Sequence, residues 1–343
     1  MSSNQPNFRA LIAHAAAGQA LSMEQAEQAF DIMMAGGATS AQIGGLLMAL
    51  RVRGETVDEI TGGAKAMRTR AVAIDAPNGA IDTCGTGGDA KGTFNVSTGA
   101  AIVSAACGIP VAKHGNRALS SRSGSADVLT GLGVNIDADM DLVREALWQA
   151  NIGFLMAPRH HGAMRHVAPT RVDLGTRTIF NLLGPLSNPA GAKRQLIGVF
   201  DAMWAEPMAK VLRYLGSERV WVVHGSDGTD ELTTTGPSRV VELRHGELSK
   251  FEITPEDAGL SRVSLDQIKG GDSDQNARAM AAMLNGQPGP IRDIVLLNAA
   301  AALIIADRTD NLIDGVAIAA DAIDSGASRA TLDKLIAITN RSS

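Results

Sequence analysis

The sequence has little cysteine, no long apolar run and no excess of basic residues. Its 343 residues include only two cysteines, Cys84 and Cys107, which excludes a disulfide framework or a cysteine-rich metal cluster and predicts reduced thiols. The most apolar run, residues 294–306, is interrupted by Asn298 and predicts a buried helix rather than a membrane span. The first residues lack the basic start and apolar run of a secretory signal. We therefore expect a cytoplasmic protein.

Charge and size narrow the class of protein further. Acidic side chains outnumber basic ones, 36 to 31, for a net charge of −5. Nucleic acids and anionic membranes select clusters of Lys and Arg, so neither is expected as the main partner. Hydrophobic residues make up 45% of the chain, which is ample for a core, and the length favours two domains over one.

The chain up to about residue 74 shows helical patterns only. Three times, a Ser or Thr is followed three positions later by Gln or Glu at the start of an apolar run, and each pair can satisfy free amides at a helix start. These pairs are Ser22 with Gln25, Thr39 with Gln42, and Thr56 with Glu59. Residues 1–74 therefore predict a small helical domain.

After residue 75, short β-rich segments alternate with helical ones, which predicts a mostly parallel sheet. The strand candidates are IDTC, IPVAK, IGFLMA, RQLIGVF and RVWVVHG. A polar His-Gly turn inside RVVELRHGELSKFEI predicts a hairpin, and the tail from Ala277 is helical. The fold class is thus α/β: a small all-helical domain followed by a large α/β domain with a mostly parallel central sheet.

The segment GTGGDAKGTFNV, residues 85–96, lies between a predicted strand and a helix expected over 98–107. Glycines there let backbone amides approach a ligand, and the helix start adds a partial positive charge, which favours phosphate or pyrophosphate. The segment matches neither a Walker loop nor the GxGxxG pattern. The alternative is a passive tight turn in which Ser97 caps the helix.

A second glycine-containing loop, KHGNRALSSRSGSAD, follows the next strand candidate. It carries Lys113, Arg117 and Arg122 and has no acid between residues 113 and 125. A solvated basic loop would explain this segment alone. Two anion-binding loops at successive strand ends instead predict a substrate with two separated phosphate groups.

A third loop, HGSDGTDE, contains the adjacent acids Asp230 and Glu231. In a glycine-containing loop both side chains can turn toward one place. Paired carboxylates beside phosphate binding predict Mg²⁺, held partly by water and partly by the phosphates. The alternative is an acidic solvated turn.

Five motifs together, in this order and at these separations, resemble the anthranilate phosphoribosyltransferase family over nearly the whole chain. They are GTGGD, NVST, KHGNR with SGSAD, RTIFNLLGPLSNP and SDGTDE. The resemblance implies transfer of the phosphoribosyl group from 5-phosphoribosyl 1-pyrophosphate (PRPP) to the amine of anthranilate in tryptophan biosynthesis, with Mg²⁺ required. It implies a nucleoside phosphorylase-like fold and a homodimer formed through the helical domain. It also implies that residues 170–189 join the helical domain, with 75–169 and 190–343 forming the α/β domain.

The resemblance also implies the site residues. Anthranilate is expected at Gly85, Asn116 and Arg171, and Mg²⁺ at Ser97, Asp230 and Glu231. No catalytic residue is assigned with certainty: Lys113 and loop 85–89 are expected to stabilise the leaving pyrophosphate, and His114 either lines the acceptor path or shapes its loop. PRPP is expected at Gly85, Gly88, Asp89, Thr93, Asn95, Val96, Ser97, Thr98, Lys113, His114, Gly115, Asn116, Arg117, Ala118, Leu119, Ser120, Ser121 and Ser125.

Two other classes remain open, and one departure from the family is visible. Glycine loops of the GTGGD type also occur in pyrimidine nucleoside phosphorylases, which need free phosphate and a nucleobase. A non-catalytic relative that binds nucleic acid is the other possibility, although it should be basic and lack the Asp230-Glu231 pair. The departure is Gly162, where many relatives have proline; we expect it to loosen a turn without changing the reaction.

Overall fold

The computed structural model describes residues 7–88, 91–118 and 123–341. The chain begins with four helices: α1 (Phe8–Ala16), α2 (Met23–Met34), α3 (Ser40–Arg53) and α4 (Val57–Arg70). The three capping boxes predicted for α2, α3 and α4 are confirmed, with reciprocal hydrogen bonds between the cap residue and the third helical residue. Glu59 of the last box also accepts a hydrogen bond from Leu21 N at 2.8 Å, so the start of α4 holds the start of α2.

A seven-stranded sheet follows, with the strand order β3-β2-β1-β4-β5-β6-β7. Strands β1 to β5 are parallel to one another, whereas β6 pairs antiparallel with β5 and forms the predicted antiparallel hairpin with β7. The mostly parallel α/β fold is therefore confirmed. The strands are β1 (Ile81–Gly85), β2 (Val111–Gly115), β3 (Ile152–Met156), β4 (Arg194–Gly198), β5 (Arg219–Gly225), β6 (Ser238–Arg244) and β7 (Glu247–Ile253).

Eleven further helices connect or cover the strands in the described chain. The buried helix expected around residues 294–306 is confirmed as α13, whose Asn298 is fully buried. In order, these helices are α5 (Val96–Ala106), α6 (Ser125–Gly131), α7 (Met140–Gln149), α8 (Ala157–His160), α9 (Ala168–Leu174), α10 (Phe180–Leu183), α11 (Ala205–Tyr214), α12 (Ser273–Leu284), α13 (Pro290–Ile305), α14 (Leu312–Asp324) and α15 (Ala327–Thr339).

The two faces of the sheet belong to different hydrophobic cores. One core joins α1–α4 to α11 and to sheet residues such as Ile197 and Val222. The other is formed mainly by α5, α13 and α15. After β3 the chain returns to the N-terminal helices, where α9 packs on α3 and α10 packs on α4. The rings of Phe30 and Phe180 lie 5.2 Å apart in that contact.

The strand order places a crevice at the carboxyl ends of β1 and β4. From β1 the sheet grows through β2 and β3 on one side and through β4 and β5 on the other. Where the connections from two adjacent strands run in opposite directions, a space opens beyond the carboxyl ends of those strands. Ligands of open α/β sheets bind there.

Cys84 and Cys107 are free thiols. Among the described residues, no helix is both long and apolar enough to cross a membrane.

Candidate active site

Asp230 follows β5 yet reaches the end of β1, passing over β4. Gly198 at the end of β4 makes this possible, because a Cβ there would overlap the backbone carbonyl of Asp230. Gly85 at the end of β1 has a similar role, since a Cβ would collide with the Asp230 carboxylate. Glycine is thus required at both positions, because Asp230 of the third loop lies too close to leave room for a side chain. This close approach places the third loop against the first.

The two adjacent acids both bind backbone amides of the glycine-rich loop and its helix. Asp230 Oδ2 accepts a hydrogen bond from Gly87 N at 2.9 Å. Glu231 Oε1 accepts one from Ser97 N at 3.1 Å. Since amides at a helix start have no intrahelical acceptor and carry partial positive charge, Glu231 satisfies and complements the beginning of α5.

The start of α5 differs from the sequence-based alternative. The helix begins at Val96, so Ser97 lies inside it and the prediction that Ser97 caps the helix is wrong. Asn95 occupies the cap position but makes no capping hydrogen bond. Its amide instead accepts from Asn276 Nδ2 at 2.9 Å and donates to Ser123 O at 3.3 Å. Asn95 therefore links the first anion loop to the second.

Lys113 places a buried cation under this helix start. The side chain projects from β2, and the residue is 2% exposed. Its Nζ donates to Thr83 O at 2.6 Å and lies 3.5 Å from Ser97 Oγ. The compensating charge is the fully buried Asp82, whose Oδ1 accepts from His114 N at 3.1 Å. Burial raises the pKa of the Asp82 carboxyl, and Lys113 opposes that shift.

The second loop is organised by an acid that the sequence did not single out. Asp127 Oδ2 accepts hydrogen bonds from Ala118 N and Gly124 N, each at 2.9 Å. The guanidinium of Arg117 faces Asp127 at 3.5 Å and Asp137 at 3.9 Å, and its side chain is 51% exposed. The structure therefore turns Arg117 toward these two acids rather than toward the glycine-rich loop.

The end of β2 is tightly packed against the start of α6. A Cβ at Gly115 would collide with Ser125 Oγ and the Phe154 ring. Ser125 Oγ donates to Asn116 O at 3.3 Å, while Asn116 Oδ1 accepts from Arg117 N at 2.8 Å. Gly115, Asn116 and Ser125 are thus neighbours in the described structure.

Several polar atoms are buried without a hydrogen-bond partner among the described residues. They include His114 Nε2, His161 Nε2 and Thr98 Oγ1. The two histidine rings lie 5.2 Å apart. Burial, with the neighbouring histidines, lowers the pKa of His114 to about 3 and that of His161 to about 4. Both rings are therefore neutral at pH 7.

Arg171 on α9 is a partly buried cation. Burial lowers the pKa of its guanidinium, which lies 5.3 Å from the centre of the Phe180 ring. Within the described ranges no carboxylate forms an ion pair with it. Because a desolvated charge is costly when unpaired, this position suits an anionic ligand.

The remaining predicted residues have different surroundings. Val96 is fully buried in the core, so only its backbone is available to a ligand. Thr93 forms an isolated bridge with Lys269. Gly88 has a φ of +74°. The predicted site residues Asp89, Leu119, Ser120 and Ser121, and the cation Arg122, lie outside the described residues.

Two further residues that sequence reasoning missed hold the acid-pair loop in place. Asp227 accepts hydrogen bonds from the hydroxyls of Thr229, Thr233 and Thr235 at 2.6–2.8 Å. Buried Asn298 bonds Leu232, next to Glu231, through both the backbone amide at 3.1 Å and the carbonyl at 2.8 Å. The threonine-rich sequence after Asp227 and an asparagine inside an apolar helix were the available signals.

The oxygen donors of this site suit Mg²⁺ better than a metal ion that is held entirely by protein side chains. Across the described part of the chain, no group of three or more His, Cys, Asp or Glu side chains could hold a metal ion. The acid pair and the Ser97 hydroxyl supply hard oxygen ligands beside a helix start and glycine-loop amides. Such a partial set is typical of Mg²⁺ sites completed by water and substrate phosphates.

Two family profiles cover most of the chain. Residues 9–71 match the helical bundle domain of a glycosyl transferase family, and residues 77–329 match its a/b domain. Anthranilate phosphoribosyltransferases of Azospirillum brasilense and Paramagnetospirillum magneticum are each 62% identical to this chain over 98% of its length, covering 94% and 97% of the relatives.

Solved structures agree with these matches. Anthranilate phosphoribosyltransferase from Thermus thermophilus has a TM-score of 0.92 and 44% identity, with 96% of this chain and 99% of that one covered. The Saccharomyces cerevisiae enzyme, solved in complex with PRPP and Mg, has a TM-score of 0.89 and 28% identity, with 97% of each chain covered. The chain therefore belongs to the anthranilate phosphoribosyltransferase family.

Proposed function

We propose that the protein transfers the phosphoribosyl group of PRPP to the amine of anthranilate, yielding N-(5-phosphoribosyl)anthranilate and pyrophosphate in tryptophan biosynthesis. The observation that carries this proposal is the convergence of the acid pair with the glycine-rich loop and the start of α5. The family membership of the full chain supports the same reaction. We also propose a cytoplasmic location, because both cysteines are free thiols.

The PRPP phosphates would lie against the carboxyl ends of β1 and β2. Amides of loop 85–88, the start of α5 and the buried Lys113 all contribute positive potential there. The unpartnered Thr98 Oγ1 is a further donor at this helix start. Lys113 and Thr98 are both buried, so their side chains can stabilise charge on the departing pyrophosphate with little reorganisation.

Mg²⁺ is the proposed cofactor, with Asp230, Glu231 and Ser97 Oγ as its protein ligands. When bound, the ion would neutralise charge on the pyrophosphate oxygens. The protein's own groups would bind and orient the substrates. They hold the sugar phosphate in place, orient the amine toward C1 of the ribose and keep water away from the activated sugar.

The acceptor requires orientation more than activation. The amine of anthranilate is an aryl amine and is neutral at pH 7, so no strong base is needed before it attacks C1. His114 and His161 are neutral at that pH because of their low pKa values. Arg171 can pair with both oxygens of the anthranilate carboxylate through its planar guanidinium.

Replacing Arg171 with Ala is expected to raise the KM for anthranilate and to leave the KM for PRPP nearly unchanged. Loss of a charge-assisted pair costs about 1.5–3 kcal/mol, so the increase should be roughly ten- to a hundredfold. Steady-state kinetics with each substrate varied in turn measures this split. The exposed Arg165, six positions earlier, gives the control variant Arg165→Ala. Equal increases in both KM values would indicate a structural role for Arg171.

An assay of anthranilate fluorescence in the presence of PRPP and Mg²⁺ tests the proposed reaction. Consumption of anthranilate that depends on PRPP is the expected result, and none at any Mg²⁺ concentration would refute the proposal. Thymidine with phosphate in the same buffer tests the nucleoside phosphorylase alternative. Fluorescence polarisation with labelled single-stranded DNA at moderate salt tests the nucleic-acid-binding alternative.

We further propose that the protein is a homodimer formed through its helical part. The two most exposed large apolar side chains of the described chain, Val52 at 82% and Val172 at 75%, lie on the mutually packed helices α3 and α9. Val52→Asp should therefore convert a dimer to a monomer in light scattering. The same substitution at Ile313, an exposed apolar residue on α14, is the control. A wild-type chain of monomer mass would contradict the proposal.

A further inference from the structure

Arg177 connects the segment between α9 and α10 to the glycine-rich loop. Its Nη2 donates a hydrogen bond to the carbonyl oxygen of Gly88. Its guanidinium also lies 4.2 Å from the centre of the Phe200 ring. In the described part of the chain, no carboxylate forms an ion pair with it. The positive charge of Arg177 is thus directed at the loop and at an aromatic ring rather than at an acid.

Phe200 is itself tied to the same loop. Its backbone amide donates to Thr86 Oγ1 at 3.0 Å, and Thr86 N donates to Gly198 O at 2.9 Å. The guanidinium therefore contacts the loop twice: directly at Gly88, and through a ring whose backbone is bonded to Thr86. A planar cation over an aromatic face is stabilised by the ring's quadrupole, which holds the side chain in this position.

The contact matters because of the chemistry of the loop. Gly87 and Gly88 both have positive φ, at 66° and 74°, and glycine samples many other conformations at little cost. A carbonyl oxygen free to turn toward bound phosphate would repel it. A guanidinium hydrogen-bonded to that oxygen neutralises its partial charge and fixes the peptide, so less ordering remains to be done when the ligand binds.

We propose that Arg177 is a positioning residue that holds loop 85–88 in its phosphate-accepting conformation. The proposal rests on the function given above. Two arginines six positions apart would then serve different substrates. Arg171 would bind the carboxylate of anthranilate, and Arg177 would favour binding of the PRPP pyrophosphate by positioning the loop.

The test is a pair of variants with opposite expected substrate dependence. Arg177→Ala should raise the KM for PRPP by about tenfold or more, as expected for loss of a hydrogen bond to a charged group, with the KM for anthranilate within about twofold of wild type. Arg171→Ala should give the reverse pattern. Arg177→Lys retains the charge but not the planar stacking, and should recover part of the PRPP affinity. Phe200→Leu should produce a smaller increase in the same KM.

A second measurement does not depend on turnover. Calorimetric titration with pyrophosphate and Mg²⁺ should show weaker binding to Arg177→Ala than to wild type, while Arg262→Ala, an exposed arginine paired with Glu256, should bind like wild type. Melting temperatures are recorded on the same preparations. The proposal is overturned if Arg177→Ala binds pyrophosphate normally, if both KM values rise together, or if Arg177→Lys is no better than Ala. An inactive wild type would instead refute the proposed function.

Discussion

Replacing Asp230 with Asn and Glu231 with Gln together is expected to reduce kcat/KM for PRPP by roughly a hundredfold or more, since changes even to outer-shell partners of metal ligands cost ten- to a hundredfold. The Mg²⁺ dependence should weaken at the same time. Folding should be preserved, because amide oxygens can still accept the hydrogen bonds that Gly87 N and Ser97 N now donate. Steady-state kinetics over a range of Mg²⁺ concentrations, with melting temperatures alongside, measures both effects.

A control exists in an exposed turn elsewhere in the chain. Glu256 and Asp257 are also adjacent acids, and they follow β7 rather than β5. The double variant Glu256→Gln/Asp257→Asn makes the same chemical change there and should leave Mg²⁺ dependence and kcat/KM unchanged. If the Asp230/Glu231 variant kept the wild-type Mg²⁺ dependence, the assignment of this pair as magnesium ligands would be wrong.

Gly88→Ala is expected to raise the KM for PRPP and to lower kcat, with little change in melting temperature. A Cβ at a φ of +74° is penalised by about 1–2 kcal/mol, and relief of that strain would move the Gly88 peptide away from Arg177. Amides that should bind pyrophosphate, and stabilise its charge as it departs, would move as well. The loop carries little core packing, so the folded state should lose little stability. Kinetics and melting temperature on one preparation separate the two effects.

Gly79 supplies the control for this variant. It has a nearly equal φ of +77°, and a Cβ there would meet no atom within 4 Å. It lies just before β1, at the opposite end of the strand from the glycine-rich loop. Gly79→Ala therefore introduces the same backbone strain without touching the site, and should leave both KM values unchanged. A lowered melting temperature with normal kcat/KM in Gly88→Ala would show that this glycine serves the fold.

The candidate site loops could be predicted from the sequence because their composition is a local pattern. Glycines, hydroxyls and charges cluster in three short loops, each directly after a strand candidate, and such clustering needs no knowledge of the fold. The same holds for the capping boxes that begin α2, α3 and α4, since their partners are three residues apart. Helix starts were less certain: α5 begins at Val96 rather than at Thr98, because Ser97 can serve either as a cap or within the helix.

Other parts of the site depend on contacts between distant segments. Gly87 and Asp230 are 143 positions apart, and Arg177 and Gly88 are 89 apart. No local pattern marks such pairs. Arg177 is the first residue of the RTIFNLLGPLSNP motif, but nothing in that motif indicated a contact with Gly88. Asn298 was missed for the same reason, since Leu232 becomes its neighbour only after the sheet and helices have packed. Asp127 is different, because Gly124 lies only three residues before it and this local pairing was overlooked.

The sequence by itself determined the helical start, the alternation of strands and helices, and the three loops that carry the polar groups, because each depends on residues near one another in the chain. Only the tertiary structure decided that β4 inserts between β1 and β5, that Gly198 lets Asp230 pass over it, and that Arg177 holds the glycine-rich loop. All three features depend on the packing of helices on the two faces of the sheet. That packing is a property of the whole chain and is not encoded in any one segment.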